Sequence, residues 1–131
     1  MNSSEDRSCP FCASVPKDHI AENALAFAKW DGYPISKGHA LIIPRRHLPS
    51  FFDCNGEEKA ALMQLLDSAK SLIDGLYNPD GYNIGINCAE AAGQTVMHAH
   101  MHLIPRYAGD VPDPRGGVRW IFPDKAVYWA R

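Results

Sequence analysis

No apolar run in this 131-residue chain approaches the roughly 20 residues that a membrane-spanning helix needs. The opening stretch MNSSEDRSCPFC is polar and acidic and lacks the apolar centre of a secretory signal. An excess of one charge is also missing: 13 Lys and Arg stand against 15 Asp and Glu, for a net charge of −2. That balance argues against a nucleic-acid binder that works by neutralising many phosphates, but leaves room for a ligand of nucleotide size. Repeats and low-complexity tracts are absent, and no linker divides the chain, so the expectation is one domain over 1–131 with a core that needs no disulfides. The expected location is the cytoplasm. The four cysteines should then stay reduced, and a close pair such as Cys9 and Cys12 suits a metal or redox role better than a structural disulfide.

What is present reads as an alternation of short strands around one helix. ENALAFAKWDGYP is an apolar strand running into a turn at Asp31-Gly32, and Leu41-Ile42-Ile43, stopped by Pro44, is a short buried strand. In NGEEKAALMQLLDSAKSLIDGLY, Asn55 is a plausible N-cap, and Glu57 and Glu58 occupy the first turn. Apolar residues recur at Leu62, Leu65, Leu66, Ala69, Leu72, Ile73 and Leu76, the steps of three and four of an amphipathic helix. YNIGINC and VMHAHMHLIPRY read as further strands, joined by the small-residue loop AEAAGQT. The expected class is α+β: a mostly antiparallel sheet of about five strands with one long helix and a short one. The C-terminal stretch 108–131, rich in Gly, Pro and aromatics, has no firm assignment.

HAHMHLIP, residues 98–105, sets histidines at every second position. On a strand, side chains alternate faces, so His98, His100 and His102 would point one way, roughly 6–7 Å apart, with Met97, Ala99, Met101 and Leu103 on the other face. A helix would scatter both sets. Three readings compete: an exposed polar face, a metal site, and a catalytic row in which one imidazole is the nucleophile. Histidine at three of five positions, in a chain with only six, weighs against the first.

GQTVMHAHMHLIPR resembles the signature of the histidine triad superfamily, His-φ-His-φ-His-φ-φ with φ apolar, preceded by Gly-Gln-Ser/Thr. AFAKWDGYPISKGHALIIPRRH is similar to the family's first half, in which an acidic or amide residue stands eight positions before a histidine that opens a strand ending in Ile-Pro. IGINC matches the strand that carries an asparagine near the phosphates. The resemblance covers roughly residues 9–107; the tail over 108–131 departs from the better known branches.

The resemblance implies hydrolysis or transfer at the α-phosphate of a nucleotide, with no organic cofactor. His100 would attack phosphorus and form a transient nucleotidyl-histidine, His102 would stabilise charge and protonate the leaving group, and His98 and His39 would complete the histidine network. Asn87, Gln94 and Thr95 would donate hydrogen bonds to phosphate oxygens or the leaving group, and Asp31 would hold the ribose hydroxyls. Asp31 could instead be a turn residue, and Asn87 and Gln94 loop caps. Bacterial members with an N-terminal Cys-x-x-Cys complete a zinc site, which here would comprise Cys9, Cys12, His47 and His98. His19, Cys54 and Cys88 have no assigned role; the expectation is an exposed histidine and two buried or inert thiols.

The ending HMHLIPR resembles the dinucleoside polyphosphate hydrolases more than the nucleoside phosphoramidases. Other possibilities are P–N bond hydrolysis, a zinc-containing module that binds nucleotides without turnover, and a metalloenzyme with zinc on His98, His100 and His102. The family further implies a homodimer with an adenine-nucleotide substrate, and neither a nucleic-acid nor a membrane partner. Arg115, Arg119, Trp120 and Trp129 of the tail could shape the substrate pocket.

Overall fold

The structure, a computed structural model, describes residues 8–130. Five strands form one sheet: β1 (His19–Glu22), β2 (Ala26–Trp30), β3 (Ala40–Pro44), β4 (Gly81–Ile86) and β5 (Met101–Arg106), in the order β1-β2-β3-β5-β4, with every neighbouring pair antiparallel. The long helix α1 (Gly56–Tyr77) covers one face, and a four-residue helix α2 (Pro123–Ala126) lies in the tail. Among the described residues, no helix is long and apolar enough to cross a membrane.

Side-chain alternation divides the strands between two clusters. Ala40, Ile42, Met101 and Leu103 pack against Leu62, Leu65, Ala69 and Ile73 of α1, while Leu41, Ile43 and Phe27 turn to the opposite face and pack with Cys9 and Phe11. His102 pairs with Leu41 in register and so belongs to this second face, away from the helix. Leu72 and Leu76 are 37% and 56% exposed, so the apolar stripe of the helix is wider than the sheet beneath it.

The last strand is shorter than its sequence pattern suggests. The expected strand over 96–107 begins only at Met101. Continued back, the β3–β5 register would set Ala99 opposite Pro44, which has no N–H to donate to a ladder. The Ala99 N–H is taken instead by the carbonyl of Leu48, at 2.6 Å. His98 and His100 therefore precede the strand, only His102 lies within it, and the expectation that all three project from one pleated face is corrected. Met97, expected on the apolar face, is 44% exposed. His19 departs from expectation in the other direction: its side chain is 4% exposed, and its ring stacks on Phe27 with centroids 4.1 Å apart.

The start of α1 is tied to the loop after β3. Asn55 and Glu58 form a capping box, the Asn55 Oδ1 accepting from the Glu58 N–H and the Glu58 carboxylate from the Asn55 N–H. The buried Glu58 also takes two hydrogen bonds from the Arg46 guanidinium, at 2.7 and 3.0 Å, and these hold its carboxyl below the ordinary range. Replacing Glu58 by Ala removes both functions, and the expected loss is about 2 kcal/mol, read as a lower denaturant midpoint at unchanged m-value. Because the folded-state pKa is depressed, this stabilisation is complete above the ordinary carboxylate pKa of about 4.3 and is lost as pH falls through the lower folded value. The deficit of Glu58→Ala should therefore shrink in acid.

Candidate active site and metal-ligating cluster

His98 is fully buried. Its Nε2 lies 2.7 Å from the Pro44 carbonyl, which can only accept, so Nε2 carries the proton and the lone pair sits on Nδ1. That lone pair faces Cys9 Sγ at 3.4 Å, Cys12 Sγ at 3.5 Å and His47 Nδ1 at 3.1 Å, while Cys12 Sγ and His47 Nδ1 are 3.1 Å apart. Metal–sulfur bonds of about 2.3 Å and metal–nitrogen bonds of about 2.0–2.1 Å, arranged tetrahedrally, separate donor atoms by about 3.3–3.8 Å. The four donors thus stand close to the edges of such a tetrahedron. Burial pushes the His98 pKa down, keeping the ring neutral as a ligand must be.

His100 is oriented by its neighbour. Its Nδ1 lies 2.8 Å from the His98 carbonyl, so Nδ1 carries the proton and Nε2 is left as the basic, nucleophilic nitrogen. Phe11, between the two cysteines, sets its ring edge-on to both His98 and His100, with centroids 5.7 and 5.0 Å away. The Cys-x-x-Cys segment therefore touches the middle imidazole as well as the donor cluster. Nothing beyond its place inside CPFC marked Phe11 in the sequence.

His102 and His39 form a second pair. The Ile35 N–H donates to His39 Nδ1 at 3.2 Å, which fixes the proton of the neutral ring on Nε2. That nitrogen stands 3.0 Å from His102 Nδ1 and 3.3 Å from the Asp31 carboxylate. With Nδ1 accepting, His102 presents Nε2–H outward. Burial lowers the pKa of both rings, against an opposing pull from Asp31. The other Asp31 oxygen accepts from the Tyr33 N–H at 2.8 Å. The groups that gather donor atoms within 4.8 Å, among the described residues, are Cys9–Cys12–His47–His98 and Asp31–His39–His102. His98, His100 and His102 do not converge on a common point, which removes the geometric basis for zinc on the row itself.

A family model described as the HIT domain matches residues 13–109. This chain belongs to the HIT family. Its relatives include an adenosine 5'-monophosphoramidase of Schizosaccharomyces pombe, 37% identical over 103 residues that span 76% of this chain and 74% of the relative. An AP-4-A phosphorylase of Mycobacterium tuberculosis is 33% identical over 92 residues, 70% of this chain and 47% of that one. A zinc-bound histidine triad family protein from Mycobacterium smegmatis superposes with a TM-score of 0.69 at 35% identity, over 81% of this chain and 84% of that one.

Within this HIT domain the loop between β4 and β5 bounds the site. Asn87 follows Ile86, the partner of Met101, at the end of the paired segment, and continuing that register by one step would set it opposite His100; it and Thr95 are exposed. Gln94 behaves differently from the expected phosphate donor. It is 4% exposed, its Nε2 donates to the carbonyls of Pro49 and Val96, and its Oε1 accepts from the Ala89 N–H. Both amide hydrogens are committed to backbone, which makes Gln94 the clamp of the loop. In the tail, Arg115 and Arg119 stack on Trp129 and Tyr128, and Arg119 donates to the carbonyls of Lys125 and Ala126; these contacts hold the tail together. Truncating the clamp in Gln94→Ala should cost about 1–3 kcal/mol, by leaving the Ala89 N–H and the Pro49 carbonyl unmatched. Faster amide exchange of residues 88–95 would locate the loss in this loop.

Proposed function

We propose that this HIT protein hydrolyses nucleotides of the form AMP-X at the α-phosphate through a covalent nucleotidyl-histidine on His100. X is the second nucleotide of a dinucleoside polyphosphate or an amine joined through a P–N bond. The observation that carries the reading is the free Nε2 lone pair of His100, fixed by the hydrogen bond from Nδ1 to the His98 carbonyl. A neutral imidazole is a competent nucleophile near neutral pH. The Nε2–P bond forms as the P–X bond breaks. Positive charge on the ring is stabilised at Nδ1–H by the carbonyl already bound there. X leaves as HX with a proton taken from solvent, the outward Nε2–H of His102 serving as a hydrogen-bond donor to the departing atom; water then cleaves Nε2–P and gives one proton back to solvent, so that AMP-X and water give AMP and HX.

Asp31 is assigned to the ribose hydroxyls, as an acceptor-only carboxylate, and Asn87 and Thr95 to phosphate oxygens. Relatives named for AP-4-A phosphorolysis and for AMP phosphoramidate cleavage support the substrate class. Replacing His100 by Ala should lower turnover of an AMP amidate or ester by about 10³-fold or more, and mass spectrometry of rapidly quenched wild type should find one AMP on the peptide carrying His100. Unimpaired turnover by the variant would reject the mechanism.

We further assign zinc to Cys9, Cys12, His47 and His98, on the donor spacing given above and with a zinc-bound relative in support. All four positions are protein ligands, the pattern of a structural site with no opening for substrate. The protein should carry about one zinc per chain by elemental analysis, and Cys12→Ser should reduce the metal content and the Tm together. The exposed apolar residues Leu72, Leu76 and Ile84, on α1 and the edge strand β4, support a homodimer across that face.

A further inference from the structure

The hydrogen bond from His100 to the His98 carbonyl fixes the proton of the ring better than it fixes the ring. It is 2.8 Å long, but a carbonyl accepts over a broad range of directions. An imidazole held only there could tilt about Nδ1 and carry Nε2 off the line of attack. Displacement at phosphorus needs the reacting atoms about 3–3.5 Å apart, and a misplacement of about 1 Å can cost about 10²-fold in rate. The plane of the ring needs a second constraint.

Two neighbouring rings supply one. Phe11 and His102 stand against His100 with centroids 5.0 and 5.2 Å away, each inclined by 66°, an arrangement in which tilted aromatic rings attract. His102 is already tied to His39 and turned to donate outward. Phe11 has no polar atom, is 8% exposed, and packs with Phe27, Leu41 and Ile43 on the sheet face to which His102 belongs. Its backbone is fastened at both ends. Cys9 and Cys12, which flank it, belong to the donor cluster. The Cys12 and Ala13 N–H groups return to the Cys9 sulfur and carbonyl at 3.5 and 3.0 Å, and the Phe11 carbonyl accepts from the Ser14 N–H at 3.3 Å. A phenyl ring so confined is a fixed wall for an imidazole that is only half-buried.

We propose that Phe11 is a positioning residue for the His100 nucleophile: its ring, delivered by the Cys-x-x-Cys turn, holds the imidazole so that Nε2 meets the α-phosphorus in line. The inference rests on the covalent-histidine reading. It separates two influences on the nucleophile, since the His98 carbonyl decides which nitrogen is free and Phe11 decides where that nitrogen points. Leucine or methionine at position 11 would fill most of the space and leave the metal ligands unchanged, but neither presents a rigid plane. Because Asp31, Asn87 and Thr95 are assigned to the substrate, losing that plane should slow the attack and spare ground-state binding.

The test is a single turnover of the p-nitrophenyl ester of AMP with enzyme in excess, in wild type, Phe11→Leu, Phe11→Met and Phe11→Tyr. The Nε2–P bond forms as the P–O bond breaks, and p-nitrophenolate leaves with the electron pair and is read by its colour. Phe11→Leu and Phe11→Met should lower the saturating rate constant by about tenfold or more, with the half-saturating concentration within about twofold of wild type. Phe11→Tyr, which keeps the plane, should stay near the wild-type rate. Zinc per chain and Tm are measured on the same samples, each assayed below its own Tm, and the two ring-less variants allow one to fail to fold. Wild-type rates in the ring-less variants, Phe11→Tyr as slow as Phe11→Leu, a deficit carried by the half-saturating concentration, or one that disappears when zinc is added back overturns the proposal. So does loss of folding in both ring-less variants, which would make Phe11 a structural residue alone. Nucleotide on His100 by mass spectrometry together with undiminished variants would reject the role of Phe11 only; release of p-nitrophenolate by wild type with no nucleotide on His100 would reject the covalent-histidine reading with it.

Discussion

His98 is attached on three sides, and each attachment fixes a different part of the site. Its Nε2–H is held by the carbonyl at the end of β3, its Nδ1 closes the group formed with Cys9, Cys12 and His47, and its own carbonyl holds the Nδ1–H of His100. A buried imidazole with both nitrogens committed has one tautomer and one ring orientation available, and that certainty passes to His100 through a single hydrogen bond. If the carbonyl of residue 98 were elsewhere, His100 would be free to place its proton on either nitrogen, and much of the population would present N–H where the proposed attack needs a lone pair. The Cys9–Cys12–His47–His98 cluster is therefore more than an N-terminal staple, since it anchors the residue whose carbonyl fixes the His100 tautomer.

A comparable constraint acts on the other pair. The Ile35 N–H leaves His39 one way to carry its proton, and His39 in turn makes His102 an acceptor on its inner side and a donor on its outer side. Burial keeps both rings neutral against the pull of Asp31. The two halves therefore present opposite faces to the space between them, a lone pair from His100 and an N–H from His102. A nucleophile beside a hydrogen-bond donor is the pairing that displacement at phosphorus uses. Both polarities trace to backbone groups, a carbonyl at 98 acting directly on His100 and an amide at 35 acting on His102 through the His39 ring.

Much of this was legible in the sequence, because period and spacing carry it. The steps of three and four in α1, its Asn55 cap, and the run Ala40–Pro44 need only local rules, and the four donors Cys9, Cys12, His47 and His98 could be gathered from the family pattern. What could not be read was where the ladder stops. Alternation in VMHAHMHLIPRY continues past the point at which Pro44 has no N–H to offer, and no local feature of 96–100 announces a partner's missing donor. Gln94 was misjudged for a similar reason: an amide beside a glycine suits a phosphate or a loop equally well, and only the carbonyls of Pro49 and Val96 decide between them. His19, taken as exposed, is covered by the ring of Phe27, a cross-strand contact invisible without the β1–β2 pairing.

The early end of the ladder is what allows five consecutive residues to perform three tasks. Had residues 98–102 all lain in β5, the pleat would have aimed three imidazoles one way with equal roles, and His98 could not have turned its ring to the cysteines while its carbonyl faced His100. A carbonyl inside a ladder accepts from the neighbouring strand; released from pairing, it is available to a side chain two residues on. Proline at 44 thus acts across the sheet. By withholding one N–H it ends the pairing of β5, its own carbonyl receives the His98 ring, and the change from strand to irregular backbone falls between His100 and Met101, which lets His100 and His102 present opposite polarities.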